Sequence, residues 1–237
     1  MIFYYLRHGD PIYNPDSLTE LGKNQAIALS KRLSVYGVDK IYASTSNRAI
    51  MTAQPTCDLI KKDMELVDFA NEGHAWQEFA LTRDGQKRWI FQDKFCMDLF
   101  TTDKTVRYNE KWYEHPEIKQ YNFGKGVERM YNDTDKFFLS LGYEHIRGTG
   151  RYKVIEPNNQ RVALFAHQGF GMAFLSTVLD IPYPLMATHF DLCHSSMTVI
   201  NFEEFDGFTR PQVLMLSNDS HIYKENVDCI YNNQIKV

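Results

Sequence analysis

The chain has 237 residues, 43% of them hydrophobic and 24% charged, which are the proportions of a globular protein with room for one large domain. Its formal net charge of -4 argues against a general nucleic-acid binder, which needs a basic surface, but not against a small anionic ligand. No run approaches the ~20 apolar residues that span a bilayer, and the chain enters its first strand directly, so we expect a cytoplasmic protein without a membrane segment.

The first eleven residues predict a buried strand with a polar end. Five apolar or aromatic residues at positions 2–6 are followed at once by Arg7, His8 and Gly9, and Pro11 cannot continue a central strand. The strand therefore presents a cation and an imidazole at a glycine turn. By itself this pattern is weak evidence of function, since a histidine at a strand end is more often a structural residue.

Helices and strands then alternate. Thr19 can cap a first helix, and residues 40–43 predict a second strand. That strand runs into the helix-start signal at residues 44–46, which places Arg48 in the first turn of a second helix. Residues 65–69 predict a third strand.

Residues 72–160 differ in composition, because they hold all three tryptophans and many other aromatic and basic residues. A helix is clear around residues 127–141, and residues 151–155 predict a small strand. No Gly-, Ser- or Pro-rich linker flanks the segment. We therefore expect a largely helical insertion with its own aromatic core, which caps a single domain of residues 1–237.

The alternating pattern resumes with an apolar run at residues 161–166 that ends in His167, before a further helix. Residues 197–202 and 213–216 predict the last two strands, joined as a hairpin around residues 206–207. Together these elements predict an α/β three-layer sandwich, with a mostly parallel central sheet and helices on both faces.

The polar residues that end these strands predict a binding site. Ligands of such sheets bind beyond the carboxyl ends of the strands, so we expect four side chains to meet there, those of Arg7, His8, Arg48 and His167. Two guanidiniums and two imidazoles repel one another when charged, and the N-terminus of the helix that carries Arg48 adds positive potential. A phosphoryl group is the natural occupant of such a site.

These residues resemble the histidine phosphatase superfamily, also called the phosphoglycerate-mutase-like superfamily. The resemblance rests on residues 6–9, on residues 18–26, on Ser44 with Arg48 and residues 52–53, and on residues 165–169. The four pieces have the order of the family and lie on the corresponding elements. They cover the α/β parts at both ends of the chain and not the insertion.

The resemblance implies a phosphatase that hydrolyses a small phosphorylated substrate through a phosphohistidine on His8. It assigns Arg7, Arg48 and His167 to the phosphoryl oxygens. Asn14, six residues after His8, would contact the phosphate as well, unless it only forms an Asx turn. No metal or other cofactor is implied, because arginines take the part that Mg²⁺ plays in kinases.

A general acid must also protonate the leaving oxygen. One branch of the superfamily has an Asp directly after the second His, where this sequence has Gln168, whereas the other branch uses a Glu just after the third strand. The resemblance therefore makes Glu72 the candidate proton donor. Glu78 and Asp68 are its competitors.

Two alternative functions share part of this residue pattern. A phosphoglycerate-type mutase shares the cations, but the insertion does not resemble the mutase segment that closes the pocket to water. A non-catalytic phospho-ligand sensor should lack part of the machinery, and all four basic residues are present. The polar residues 189–194 lack metal-ligand spacing, the turn at 217–221 has no assigned role, and the scattered cysteines predict buried free thiols. The sequence predicts neither the substrate nor the oligomeric state.

Overall fold

A computed structural model describes residues 1–229. Its strands, in chain order, are β1 (Ile2–Arg7), β2 (Pro11–Tyr13), β3 (Asp16–Leu18), β4 (Lys40–Ser44), β5 (Met64–Val67), β6 (Ala80–Arg83), β7 (Gln86–Trp89), β8 (Tyr143–Ile146), β9 (Arg151–Val154), β10 (Arg161–Ala166), β11 (Met197–Asn201), β12 (Glu204–Phe205), β13 (Phe208–Thr209) and β14 (Gln212–Asn218). Its α-helices are α1 (Glu20–Ser34), α2 (Asn47–Ile60), α3 (Glu72–Phe79), α4 (Lys94–Thr102), α5 (Lys104–Arg107), α6 (Phe123–Ser140), α7 (Gln168–Leu179), α8 (Tyr183–His189) and α9 (Ser220–Lys224).

The central sheet has the strand order β14-β11-β1-β10-β4-β5. Strands β1, β10, β4 and β5 run parallel to one another, while β11 is antiparallel to both β1 and β14. The four parallel strands therefore end at one edge of the sheet, where loops and helix N-termini collect.

Both faces of the sheet are buried, and β1 explains how. Its side chains alternate, so that Phe3 and Tyr5 pack on one face among residues of α6 and α7. Tyr4 and Leu6 point to the opposite face, where they join a second cluster with residues of α1 and α2. This is the pattern of a strand covered by helices on both sides. The predicted α/β sandwich is thus confirmed.

Part of the predicted insertion lies on the sheet itself. Phe138 of α6 packs against Phe3 of β1, with ring centroids 5.2 Å apart. The buried rings of the earlier segment are continuous with this core, since Trp112 stacks on Tyr183 of α8 at 5.3 Å. The expectation of a separate aromatic core is therefore wrong, because α6 to α8 connect the insertion to the sheet. Helices α3 to α5 and the β6–β7 hairpin make up the segment before α6.

The turn at residues 206–207 does not join β11 to β14 as predicted. It joins β12 to β13, and β13 pairs with β9 in a separate four-stranded sheet. Strands β11 and β14 do pair antiparallel, with this small hairpin between them in the chain. A turn signal fixes the local geometry of the chain and leaves the partner strands open. The third strand also ends earlier than predicted, at Val67, in a 3₁₀ turn. None of the helices within residues 1–229 has the length and hydropathy needed to cross a bilayer.

A fully buried charged group ties β8 to two helices. The imidazole of His145 lies between the carboxylates of Asp135, at 2.8 Å, and Asp180, at 3.1 Å, and stacks on the ring of Tyr152. Burial alone would lower the pKa of this histidine, but the two hydrogen-bonded carboxylates outweigh burial and raise the pKa to about 9. The ring is therefore protonated in the folded protein at neutral pH.

We predict that this ion triad makes stability fall at alkaline pH. The pKa of His145 is higher in the folded chain than its ordinary value of 6.5, so the stabilisation is complete below pH 6.5 and is lost as the pH rises through 9. The expected loss is about 3 kcal/mol in the free energy of unfolding, measured by denaturant titration at a series of pH values. The His145→Gln variant should lack this component, and an unchanged pH profile would contradict the assignment.

Candidate active site

The register of the sheet brings the predicted residues together. Arg7 pairs with Ala166 across β1 and β10, so that the next residues in each strand, His8 and His167, are neighbours. Their ring centroids lie 5.1 Å apart. Arg48 follows β4, the other parallel neighbour of β10, and lies in the first turn of α2. We refer to Arg7, His8, Arg48 and His167 as the Arg/His cluster.

The turn that carries His8 is held by helices α1 and α2. The N–H of Gly9 donates to Oγ1 of Thr52 at 3.0 Å, and the N–H of Asp10 donates to Oε1 of Gln25 at 2.9 Å. Gly22 lies so close to the backbone of Asp10 that a Cβ on Gly22 would collide with it. These residues of α1 and α2 therefore hold the turn that positions His8.

The environment of His8 favours a neutral ring with a defined tautomer. Nδ1 lies 2.7 Å from the carbonyl oxygen of Gly9, which can only accept, so Nδ1 carries the proton and Nε2 carries the lone pair. Burial, followed by the charges of His167, Arg7 and Arg48, holds the pKa of His8 well below its usual value. The Gly9 carbonyl opposes this shift without reversing it.

The two arginines are fixed by different partners. Arg48 donates to the carboxylate of Asp16 at 2.8 Å, and its guanidinium lies 5.5 Å from the ring centroid of Tyr13. Arg7 is almost fully buried and donates to the carbonyl of Leu192 and to Nε2 of His194, the latter at 2.6 Å. Both guanidiniums are thus oriented within the folded chain.

His167 is fully buried and also neutral. Its Nε2 lies 2.8 Å from the hydroxyl of Ser44, while its Nδ1 has no hydrogen-bond partner among residues 1–229. Burial and the charges of Arg48 and Arg7 hold the pKa of His167 well below its ordinary value. A neutral ring can still donate one hydrogen bond to an anion in the cluster.

Glu72 reaches the N-terminus of α7. Its two carboxylate oxygens accept hydrogen bonds from the N–H groups of Gly169, at 3.0 Å, and Phe170, at 2.9 Å. Burial raises the pKa of Glu72, although these N–H groups, Arg48 and Arg7 act in the opposite direction. Each oxygen keeps a second lone pair, so the carboxyl can hold a proton without losing either bond.

The competitors of Glu72 are held elsewhere. Glu78 forms a two-pronged ion pair with Arg129, at 2.7 and 2.8 Å from Nε. Asp68 bonds to Thr45 and His74, and its carboxylate is largely exposed. Among the described residues, Glu72 lines the cleft at the Arg/His cluster and neither competitor does.

This cleft has a volume of about 670 Å³. It extends from the Arg/His cluster to residues of α3, β7 and the start of α7. Its lining includes Arg7, His8, Tyr13, Ser46, Arg48, Asn71, Glu72, Gly73, Trp76, Trp89, Gln92 and Gln168. Asn14 is exposed in the turn between β2 and β3 and is absent from this lining, where its neighbour Tyr13 appears instead. A phosphate contact of Asn14 stays a prediction.

Some residues of the site were missed by sequence reasoning. His194 contacts Arg7, and its ring centroid lies 5.6 Å from that of His8, yet it sits in an irregular loop with no periodic pattern. Trp76 and Trp89 form one wall of the cleft, with ring centroids 4.9 Å apart. The sequence shows that residues 72–160 hold all three tryptophans, but no spacing rule places two of them at the strand ends.

Comparisons with known proteins concern the family of the N-terminal part and the fold. A family model, the histidine phosphatase superfamily (branch 1), matches residues 3–95, which include Arg7, His8, Arg48 and Glu72. The match covers the N-terminal part of the chain, up to the start of α4, and makes that part similar to the histidine phosphatase superfamily. No curated protein matches the sequence.

Solved structures are similar in fold to this protein over most of the chain. A mutant phosphoserine phosphatase from Entamoeba histolytica, in complex with phosphoserine, has 16% identity and a TM-score of 0.58, covering 93% of this chain and 98% of that one. A mycobacterial glucosyl-3-phosphoglycerate phosphatase has 18% identity, a TM-score of 0.58 and coverages of 91% and 98%. The α-ribazole phosphatase from Shigella flexneri has 18% identity and a TM-score of 0.55, covering 92% of this chain and 97% of that one. These likenesses concern the fold.

His194 should affect phosphate binding through Arg7. Because the guanidinium donates to Nε2 of His194, the His194→Leu variant leaves Arg7 without that acceptor, and we expect about tenfold weaker binding of inorganic phosphate. His194→Gln supplies an amide oxygen and should recover most of the affinity. Isothermal titration measures both, with thermal melts to check folding. Equal phosphate affinity in the Leu variant would contradict this role.

Proposed function

We propose that this protein is a histidine phosphatase, which hydrolyses a phosphomonoester through a phosphohistidine formed on Nε2 of His8. The observation that carries the proposal is the state of His8 itself. Its ring is buried, its Nδ1 proton is tied to the Gly9 carbonyl, and its Nε2 lone pair belongs to a neutral imidazole beside three basic side chains. A neutral nucleophile next to anion-binding groups suits attack on phosphorus.

In the first step, Nε2 of His8 attacks phosphorus while the bond to the leaving oxygen breaks. Arg7 and Arg48 stabilise the negative charge on the phosphoryl oxygens, and His167 donates a hydrogen bond to them. Glu72 transfers its proton to the leaving oxygen, so that the product departs as a neutral alcohol. The carboxylate that remains is stabilised by the N–H groups of α7.

In the second step, water replaces the alcohol. The Glu72 carboxylate takes a proton from this water, which attacks phosphorus, and the N–P bond to His8 breaks. Phosphate leaves, Glu72 is protonated again and His8 returns to its neutral form. The opposing influences on the pKa of Glu72, burial on one side and hydrogen bonds and arginines on the other, suit a group that must exist in both forms.

The solved structures of similar fold support the substrate class. They include a phosphoserine phosphatase in complex with phosphoserine, a glucosyl-3-phosphoglycerate phosphatase and an α-ribazole phosphatase. A small phosphorylated metabolite is accordingly the proposed kind of substrate. The identities are below 25%, so the leaving group has to be inferred from the cleft of this chain.

Replacement of the nucleophile tests the mechanism directly. The His8→Ala variant should lose turnover of 4-nitrophenyl phosphate by at least about 10⁴-fold, because no other group in the cluster can form the covalent intermediate. Rapid acid quench of the wild type with ³²P-labelled substrate should trap an acid-labile, base-stable label that the variant lacks. His115→Ala is the matched control, since His115 directly follows a 3₁₀ turn and is not part of the cleft lining. Normal turnover by His8→Ala would refute the proposal.

Glu72 should matter most for poor leaving groups. We expect Glu72→Gln to lower kcat/KM for an alkyl phosphate about 10²–10⁴-fold, and to affect 4-nitrophenyl phosphate much less, because nitrophenolate leaves without a proton. The pKa of Glu72 is raised, so wild-type activity on the alkyl ester should fall as the pH rises above this pKa, and the variant should lack that fall. Asp68→Asn is the control. Equal losses with both leaving groups would contradict general-acid catalysis by Glu72.

The same protein preparation can be used to distinguish a phosphatase from a phosphoglycerate-type mutase. A phosphoglycerate-type mutase would isomerise 3-phosphoglycerate without releasing phosphate, whereas the proposed phosphatase releases phosphate from its substrate. Phosphate release and isomerisation can be followed together by ³¹P NMR. Isomerisation without release would replace the hydrolase assignment.

A further inference from the structure

The cleft is much larger than a phosphoryl group requires. A volume of about 670 Å³ is typical of sites that hold drug-sized molecules. A second cavity of about 320 Å³ shares Gln92 and Gln168 with the cleft and is otherwise lined by Phe91, Met172, Ala187, Phe190 and Asp191. The space beyond the Arg/His cluster therefore fits a leaving group larger than a three-carbon acid.

The charges of the cleft are concentrated at one end. Beyond the Arg/His cluster and Glu72, the described lining consists of aromatic rings, amides, a serine and a glycine, with no further Lys, Arg, Asp or Glu. A substrate whose leaving group carries a carboxylate would have to bury that charge without a partner, which is costly. Lys87 lies close to this part of the cleft, with its Nζ 5.1 Å from the ring centroid of Trp76, but it is exposed and outside the lining.

Two tryptophans form an aromatic wall of the cleft next to the proton donor. Trp89 stacks on Phe91 with an interplanar angle of 11° and meets Trp76 edge to face. The ring of Trp89 also covers Gly169, where a Cβ would collide with it, and the N–H of Gly169 binds Glu72. An alcohol that receives its proton from Glu72 therefore leaves beside the face or edge of fixed indole rings. Flat rings pack on such surfaces more favourably than flexible chains of equal area.

The uncharged amides add directional contacts around this wall. Asn71, Gln92 and Gln168 line the cleft, and Gln168 is oriented by a hydrogen bond to the carboxylate of Asp191. Amides donate to and accept from hydroxyl groups and ring nitrogens without requiring a charge on the ligand. The lining thus suits a polar but uncharged ring.

We propose that the leaving alcohol of the substrate carries an uncharged flat ring, and that Trp76 and Trp89 select it. The proposal rests on the phosphatase function proposed above and names its substrate class. It excludes phosphorylated carboxylic acids, such as 3-phosphoglycerate, as preferred substrates.

A series of alkyl phosphates with similar leaving-group basicity tests this selection. We expect kcat/KM for 2-phenylethyl phosphate to exceed those for butyl phosphate, glucose 6-phosphate and 3-phosphoglycerate by about tenfold or more. Trp76→Leu and Trp89→Leu should each reduce the ratio of 2-phenylethyl to butyl phosphate about three- to tenfold. Two variants are needed because Trp89 also packs on Gly169 at the start of α7, so that its replacement could disturb that helix. Phe205→Leu, at an exposed ring outside the cleft, should keep the wild-type ratio.

The outcomes separate this proposal from the function on which it rests. Equal hydrolysis of all four esters, or a ratio unchanged in both tryptophan variants, overturns ring selection and leaves the phosphatase assignment standing. Equal turnover of glucose 6-phosphate and 2-phenylethyl phosphate overturns the flat ring in favour of a sugar. A preference for 3-phosphoglycerate that Lys87→Met removes overturns the uncharged leaving group. Absence of hydrolysis of every ester overturns both proposals.

Discussion

His8 lies buried beside three basic side chains, and its ring can occupy that position at low cost only when it carries no charge. Burial and neighbouring cations disfavour protonation together, so they act on the pKa of His8 in the same direction. Much of the surrounding structure serves this arrangement. The parallel register sets the neighbours, and the turn after β1 is fastened to α1 and α2 by Gln25 and Thr52. The same cations that keep the nucleophile neutral are available to hold an anion.

The site is assembled from parts of the chain that are remote in sequence but adjacent at one sheet edge. Arg7 binds His194 across 187 positions, and His167 bonds to Ser44 across 123. Contacts of this kind depend on correct pairing of the whole sheet, because each of these residues lies at or near the end of a strand. The fold thus positions charged groups that would separate if the pairing slipped by a single residue.

The sequence predicted those features that follow from strand burial. The uninterrupted apolar runs before Arg7 and His167 identify strands that are covered on both faces. Because parallel strands end at the same edge of a sheet, the residues that follow these runs were expected to meet as the Arg/His cluster. Glu72 could be proposed only through the family resemblance, since no periodic pattern selects it over Glu78 or Asp68. His194 was beyond sequence reasoning, because an irregular loop gives no signal of where its side chains point.

Predictions also failed where local signals had to specify distant partners. The turn at residues 206–207 exists, but its strands belong to a second sheet with β9. The rings of the insertion were expected to pack among themselves, yet Trp112 stacks on Tyr183 and α6 covers the sheet. The aromatic content of a segment indicates how much apolar surface it will bury. It does not indicate which element that surface packs against.

Glu72 and the amides that bind it come from opposite sides of the cleft. The carboxylate belongs to α3, while its two N–H partners open α7, directly after His167. A hinged movement of α3 away from the sheet would break both hydrogen bonds and move the carboxylate of Glu72 away from the leaving oxygen of the substrate. The candidate proton donor is thus also a fastening between α3 and the start of α7, so that a substitution which removes its acceptor oxygens removes this link between the two helices as well.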